Sequence, residues 1–225
     1  MKIIFRIVSL TMVVAMGLYC PNEDGTTTSS SSTTSTTSSS SLFSDDFNRA
    51  DGAIGDNYLT SFATSAGNAT IKTNQVCGDS QSFAMYKNTL SGKIKISFKW
   101  TAASTTGLEA YAIMSTDSTG SKFALLGCDG GGGSGNQCAL KIKDEAGTTL
   151  ATENQTLTTG TTYLLEGEIS GTTLTARLKK SDGTSISTIT GTLSASYSPQ
   201  YFGLLVGRNT DTQLTCADDL KIEQL

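Results

Sequence analysis

Strict alternation of apolar and polar side chains is the feature that most constrains this chain. From position 93 to 100, lysine or serine occupies the odd positions, and the even positions hold Ile94, Ile96, Phe98 and Trp100. Because successive side chains of a β-strand point to opposite faces, the pattern predicts a strand buried on one side. The same period of two recurs in the segments 140–143, 173–179, 202–206 and 220–223.

Turn signals separate these segments at short intervals. They include Ser91-Gly92, Ser170-Gly171 and Asp182-Gly183, and such glycines supply the positive φ that tight hairpins need. No window repeats its apolar residues at the spacing of three and four that a helix requires. We therefore predict an all-β domain of about a dozen short strands, folded as an antiparallel two-sheet sandwich.

The charged residues narrow the classes of function. The chain has no histidine, which excludes a Ser-His-Asp triad, a Cys-His pair and histidine-ligated zinc or haem. Lys and Arg number 16 against 20 Asp and Glu, for a net charge of −4. Binding to nucleic acid needs clustered basic charge, so we expect no nucleic-acid partner.

The first 19 residues have the composition of an export signal. Lys2 and Arg6 precede a nearly uninterrupted apolar stretch at positions 7–19. A bilayer-spanning helix needs about 20 apolar residues, so this stretch is too short to remain as an anchor. Its size and its basic start predict a cleaved signal peptide over residues 1–19.

The sequence around Cys20 resembles a bacterial lipoprotein precursor, in the looser form found in spirochaetes. Gly17-Leu18-Tyr19 precedes the cysteine, and the resemblance implies cleavage before Cys20, acylation of that residue and a lipid membrane as partner. An ordinary cleavage after Ala15-Met16-Gly17 is the alternative, and it would release a soluble protein. Five cysteines are present, and lipidating Cys20 leaves four that can pair after export.

A run of serine and threonine follows the signal segment. Thr26–Ser41 contains no other residue type, so it has nothing apolar to bury and should remain a flexible tether. We therefore assign residues 20–41 to a linker that begins at the lipidated cysteine. The folded domain is predicted to span residues 42–225.

Three segments of this domain resemble the concanavalin A-like (laminin-G-like) jelly-roll family. They are the opening segment 45–58, with Tyr58 where the family usually has tryptophan, the hairpin strand 162–169 and the closing strand 218–222. The resemblance implies a jelly-roll sandwich whose first and last strands lie side by side. It leaves the function open, because the fold hosts lectins, glycosidases and inert spacers.

The four remaining cysteines allow three pairings. Cys128 and Cys138 flank a glycine-rich loop between two strand segments, so we expect them near opposite positions of a hairpin and paired with each other. Cys77 and Cys216 would then form the second disulfide. A four-cysteine zinc site is the rival interpretation, but it needs closely spaced pairs that this chain lacks.

Glu166 and Glu168 are the candidate catalytic residues. They are two apart on one predicted strand and therefore share a face. A retaining glycosidase needs two carboxyl groups about 5–5.5 Å apart, and some concanavalin A-like glucanases carry theirs on one strand. The alternative is a solvated polar face with no catalytic role.

Four aspartates are candidate calcium ligands, namely Asp45, Asp46, Asp218 and Asp219. They lie on the first and last strands, which the family resemblance brings together, and members of the family often bind a structural calcium there. Calcium takes six to eight oxygen ligands, of which carboxylates can supply several. The alternative is strand-end acidity without a metal, and no other cofactor is expected.

Glu109, Tyr111 and Arg177 are candidate ligand-binding residues on strand positions predicted to face solvent. A tyrosine ring can pack on a sugar while its hydroxyl stays hydrated. We therefore predict a membrane-anchored, non-catalytic binding module for a glycan or a host matrix ligand, exported to the cell surface or the periplasm. The alternatives are a glycan-active hydrolase that uses Glu166 and Glu168, and a structural coat protein.

Overall fold

A computed structural model describes residues 39–63, 67–78, 81–102, 109–130, 137–193, 197–207 and 214–225. Within these residues the secondary structure consists of strands, and no helix occurs. The strands are β1 (Ser40–Asp45), β2 (Gly52–Ala53), β3 (Gly67–Asn68), β4 (Thr70–Lys72), β5 (Gln75–Gly78), β6 (Ser82–Met85), β7 (Ile94–Thr101), β8 (Glu109–Ser115), β9 (Phe123–Asp129), β10 (Gln137–Lys143), β11 (Thr149–Thr156), β12 (Thr162–Ser170), β13 (Thr173–Lys180), β14 (Ser185–Thr192), β15 (Tyr201–Val206) and β16 (Thr215–Gln224).

The strands form two sheets that pack face to face. The nine-stranded sheet has the order β14-β13-β12-β7-β16-β5-β4-β2, with β1 paired to β16. The seven-stranded sheet has the order β11-β10-β9-β8-β15-β6-β3. The described pairs are antiparallel except for β3 with β6. The predicted all-β, two-sheet jelly-roll sandwich is confirmed.

The core lies between the two sheets, as the alternation predicted. Ile94, Ile96, Phe98 and Trp100 of β7 are all buried and point inward. On the neighbouring strand β12, Gly167 allows the sheets to approach each other closely, because a Cβ atom there would lie 2.6 Å from Cβ of Ala112. A larger residue at position 167 would push the sheets apart.

The seven-stranded sheet has a second apolar cluster on its outer side. This covered face consists of Phe62, Phe83, Met85, Tyr111, Ile113 and Leu205. The segment 59–63 crosses it, anchored by backbone hydrogen bonds from Leu59 to Met85 (2.9 Å) and from Ala63 to Thr119 (2.8 Å). Gly120 has a φ of +69°, and a Cβ there would lie 2.8 Å from the Ala63 nitrogen. The crossing segment thus depends on glycine at this position.

The first and last strands lie side by side, as the family resemblance implied. β1 pairs with β16, with Ser40 opposite Gln224 and Asp45 opposite Leu220. Ser40 and Ser41 therefore belong to the sheet, although the sequence assigned them to the linker that ends at residue 41. Backbone pairing requires no apolar side chain, so composition alone misplaced this boundary by two residues.

Two disulfides form in the predicted pairing, each between strands of one sheet. Cys77 of β5 and Cys216 of β16 are directly opposite each other, with Cα atoms 4.1 Å apart. Cys128 and Cys138 join β9 to β10, with Cα atoms 5.1 Å apart. Disulfides are typical of proteins that fold outside the reducing cytoplasm.

The signal peptide, Cys20 and the linker up to position 38 lie outside the described residues. In the part of the chain that the structure describes, no helix has the length and apolar character needed to span a bilayer.

Candidate functional site

Glu166 and Glu168 lie on the outer side of the nine-stranded sheet, where both are held in ion pairs. The Lys179 ammonium lies 2.8 Å from the Glu166 carboxylate. Glu168 is bound by Arg177 at 2.8 Å and by Lys93 at 3.1 Å. The two glutamate side chains are only 8% and 12% exposed, so the pairs leave little of either carboxylate accessible to a ligand.

These ion pairs oppose a role in acid-base chemistry. Burial raises the pKa of Glu168, but the hydrogen bonds and charges of Arg177 and Lys93 outweigh burial, and the net pKa is lowered. A glycosidase acid must hold its proton near neutral pH, which requires a raised pKa. Glu168 is instead ionised and neutralised by its neighbours.

The glutamates belong to a larger array of paired charges on the same surface. Lys95 binds Glu223 at 2.7 Å, and Lys99 binds Asp219 at 2.5 Å. We call this surface the ion-paired face. Its members are Lys93, Lys95, Lys99, Glu166, Glu168, Arg177, Lys179, Asp219 and Glu223.

The structure does not bring together the three predicted ligand-binding residues. Arg177 belongs to the ion-paired face, whereas Glu109 and Tyr111 lie on β8 in the opposite sheet. Tyr111 is 1% exposed, within the covered face. The prediction that Tyr111 faces solvent is wrong. Strand β8 is buried on both sides, so neither of its two faces meets solvent.

Burial also dominates the chemistry of Tyr111. Its hydroxyl is buried. Burial raises the pKa of Tyr111, and the nearby charges of Asp129 and Glu109 add to that shift. The ring supports the packing of the sheet and offers no platform on which a sugar could stack.

Asp45 forms the centre of a structural clamp at the end of β1. Its carboxylate accepts hydrogen bonds from both terminal guanidinium nitrogens of Arg49, from the Tyr58 hydroxyl and from the Phe47 backbone, each at 2.8 Å. Burial opposes ionisation of Asp45, but these donors outweigh it and lower the pKa. This explains the opening motif, because its Asp, Phe, Arg and Tyr positions all meet at one carboxylate.

The four predicted calcium ligands are divided between two pockets. Asp45 is held by the clamp, and Asp219 is paired with Lys99. Asp45, Asp46 and Asp219 line one shallow pocket of about 340 Å³, while Asp218 lines another. Within the described ranges, no group of three acidic, cysteine or histidine residues is placed to hold a metal ion. The calcium site stays a prediction that this geometry does not support.

A second pocket opens on the ion-paired side of the nine-stranded sheet, at the end where β12 begins. This polar pocket has a volume of about 300 Å³. It is lined by Gln75, Lys99, Trp100, Thr101, Thr162, Ser181 and Asp218. These residues come from strands β5, β7, β12 and β16 and from the turn after β13, so the pocket depends on the register of the whole sheet.

Hydroxyl and charged groups share the polar pocket. The side-chain oxygens of Thr101 and Thr162 lie 2.9 Å apart in a hydrogen bond. Burial raises the pKa of Asp218, and the charges of Asp219 and Asp46 add to that shift. Asp218 makes no ion pair with a described residue; its carboxylate accepts a hydrogen bond from the Asp219 backbone at 2.9 Å.

Sequence reasoning selected only Asp218 from this pocket, and it did so as a calcium ligand. The remaining residues are common polar types at the ends of strands, and no local motif marks them. Strand pairing brings the pocket residues together, because Thr101 lies opposite Thr162 and Lys99 lies opposite Asp218. Alternation predicts that Lys99 and Thr101 share a face, but it does not specify which strands flank them.

Solved structures with the same fold are similar to this domain. The CBM2 module of the evolved Dit protein from Lactobacillus casei BL23 phage J-1 has a TM-score of 0.56 at 12% identity, covering 82% of this chain and 95% of that chain. Lectin II from Ulex europaeus has a TM-score of 0.55 at 15% identity, covering 83% and 100%. A structure from work on endo-acting O-glycanases of human gut bacteria, which initiate mucin breakdown, has a TM-score of 0.55 at 11% identity, covering 83% and 100%.

These similarities establish a shared fold. No protein-family model matches the sequence, and no curated protein is similar to it at a significant level.

Proposed function

We propose that this protein is a non-catalytic glycan-binding module that is exported and anchored to a bacterial membrane through acylated Cys20. The observation that carries the non-catalytic part is the ion pairing of Glu166 and Glu168. Both candidate catalytic carboxylates are nearly buried, and each has a cationic partner within 3 Å. A pair of carboxylates in this state lacks the accessible acid and nucleophile that glycoside hydrolysis needs.

The glycan-binding part is supported by the fold and by the kind of surface it carries. Among the similar structures, one is named a CBM2 module and another a lectin. The polar pocket offers hydroxyl, amide and charged groups, which are suited to a ligand rich in hydroxyl groups. Export is supported by the two disulfides.

A glycan array tests binding and catalysis together. The purified full-length protein and a Glu166→Gln/Glu168→Gln double variant are applied to the same array, and the bound glycans are assayed for new reducing ends. We expect both proteins to bind the same glycans and neither to cleave them. Cleavage by the wild type that disappears in the double variant would establish a hydrolase instead. A folded protein that binds no glycan would favour the structural coat protein.

Mass spectrometry of the mature N-terminus tests the anchor. We expect a chain that begins at Cys20 and carries the mass of acyl groups, because two or three acyl chains suffice for stable membrane association. A chain that begins at Leu18 with an unmodified Cys20 would contradict the anchor and support a soluble protein. A Cys20→Ala variant should lose membrane association without losing the folded domain.

A further inference from the structure

We propose that the polar pocket, lined by Gln75, Lys99, Trp100, Thr101, Thr162, Ser181 and Asp218, binds a single neutral sugar residue of the glycan. This inference rests on the proposed glycan-binding function and assigns it to one place. The site lies on the outer side of the nine-stranded sheet, away from the candidate residues Glu109 and Tyr111.

The pocket is a depression in a surface that is otherwise filled by paired charges. Its volume of about 300 Å³ is at the lower end of the range of roughly 300–1,000 Å³ found for small-molecule sites. Cross-strand pairing fixes most of its wall, since Thr101 is opposite Thr162 and Lys99 is opposite Asp218. The positions of these groups are therefore set before a ligand arrives, which favours binding.

The hydrogen-bonding groups of the pocket match those of a sugar. A hydroxyl has one donor and two acceptor positions. The bond between Thr101 and Thr162 uses one donor and one acceptor, so the pair keeps one donor and three acceptors. The amide of Gln75 and the hydroxyl of Ser181 add further donors and acceptors. Sugar hydroxyls also act as both donor and acceptor, so they can satisfy such a mixed set.

The charges of the pocket favour a neutral ligand. Lys99 is already paired with Asp219 at 2.5 Å, and Asp218 is the second acidic residue beside that pair. Because Lys99 is neutralised by Asp219, the Asp218 carboxylate leaves a net negative charge at the pocket, which repels an anionic ligand. A neutral sugar can instead donate a hydroxyl to the Asp218 carboxylate, and such a charge-assisted hydrogen bond is stronger than a neutral one.

Trp100 lies close to this site, with its side chain on the inner side of the same sheet. It is the only tryptophan of the chain, and it lines the pocket while remaining 3% exposed. Its indole nitrogen is buried without a hydrogen-bond partner among the described residues. The Trp100 side chain points into the core from the strand that carries Lys99 and Thr101, so its emission is an auxiliary readout of binding.

The experiment is a calorimetric titration of the full-length protein with the neutral glycan that gives the strongest signal on the array. We expect saturable binding, and any change in Trp100 emission should yield the same Kd. Thr162→Val keeps the side-chain shape and removes the hydroxyl, while Asp218→Asn removes the charge. Each should raise the Kd about tenfold, because Thr162→Val loses one hydrogen bond to the ligand and Asp218→Asn replaces a charge-assisted hydrogen bond with a neutral one.

Thr190→Val is the matched control. Thr190 is an exposed threonine on β14, on the same outer side of the same sheet and outside the pocket. Its Kd should equal that of the wild type. Thermal unfolding of all three variants verifies folding, and the second pocket variant decides the question if the first does not fold.

The possible outcomes distinguish a failure of the pocket assignment from a failure of the glycan-binding function. If the array shows bound glycans but both pocket variants bind like the wild type, the pocket assignment is overturned and the glycan-binding function stands. If every bound glycan requires a sialic acid or sulfate group, the neutral ligand is overturned. If no glycan is bound, the function and the pocket assignment fail together.

Discussion

The outer sides of the two sheets differ sharply. On the nine-stranded sheet this side is the ion-paired face, where lysine and arginine neutralise glutamate and aspartate across neighbouring strands. On the seven-stranded sheet it is the covered face, where Phe62 of the crossing segment packs on Phe83 and Phe123, with ring centroids 5.0 and 5.7 Å apart. The nine-stranded sheet exposes paired charges to solvent, whereas the outer side of the seven-stranded sheet is covered by another segment of the chain.

This difference shows how the second side of a sheet determines the sequence pattern. β7 has one side in the core and one in solvent, so its residues alternate clearly. β8 is buried on both sides, and its sequence Glu-Ala-Tyr-Ala-Ile-Met-Ser is almost continuously apolar. Apolar contacts and surface ion pairs should also contribute very different free energies, which leads to three predictions.

The largest effect is expected for Phe62→Ala on the covered face. Phe62 is 3% exposed, and truncating a buried phenylalanine costs about 3–5 kcal/mol through lost burial and a cavity. Urea unfolding should show a free energy of unfolding lower by that amount. Ser61→Ala, at an exposed neighbouring position, is the control and should stay within about 0.5 kcal/mol of wild type. Equal stabilities of the two variants would mean that the segment 59–63 does not cover the sheet.

An intermediate effect is expected for Glu168→Gln on the ion-paired face. We expect a loss of about 1–2 kcal/mol at pH 7, because Arg177 and Lys93 lose their carboxylate partner. The folded-state pKa of Glu168 is lowered from 4.5, so its stabilisation is present above that value and is lost as the pH falls through the folded-state pKa.

The difference between wild type and Glu168→Gln should therefore shrink between pH 5 and pH 2, as measured by chemical denaturation. A difference that is the same at every pH would show that the glutamine variant fails through its packing rather than through its lost charge.

The smallest effect is expected for Lys95→Met. Lys95 lies 2.7 Å from Glu223, and each side chain is about a fifth exposed. Such a pair contributes at most about 1 kcal/mol, and 1 M NaCl should reduce that contribution further by screening. The Phe62→Ala loss should change little in the same salt. A Lys95→Met loss larger than that of Glu168→Gln would contradict the proposed ranking of the two ion pairs.

Sequence reasoning predicted the fold well because alternation and turn residues are local signals. It predicted β7, β12 and β13, and the disulfide pairing followed from one hairpin. It did not predict that Lys179 and Arg177 neutralise Glu166 and Glu168, because that depends on the packing of side chains across β12 and β13.

The candidate sites were harder to predict for a similar reason. Tyr111 was expected to face solvent, since nothing near it in the sequence indicates that the segment 59–63 returns to cover β8. Asp45 was predicted as a calcium ligand because the family resemblance brings the first and last strands together, and the sequence did not indicate that Arg49 and Tyr58 fold back onto it. The polar pocket joins residues from five separate segments, so no single stretch of sequence indicates it.

The clamp at Asp45 also has a mechanical consequence. A pulling force applied to the chain before Ser40 would enter the domain through β1, which is held by its pairing with β16. Peeling would proceed from Ser40 toward Asp45, where the hydrogen bonds from Arg49, Tyr58 and Phe47 converge. Rupture would then require several bonds to break at once. The clamp thus limits how far a force applied at the N-terminal side can separate β1 from β16.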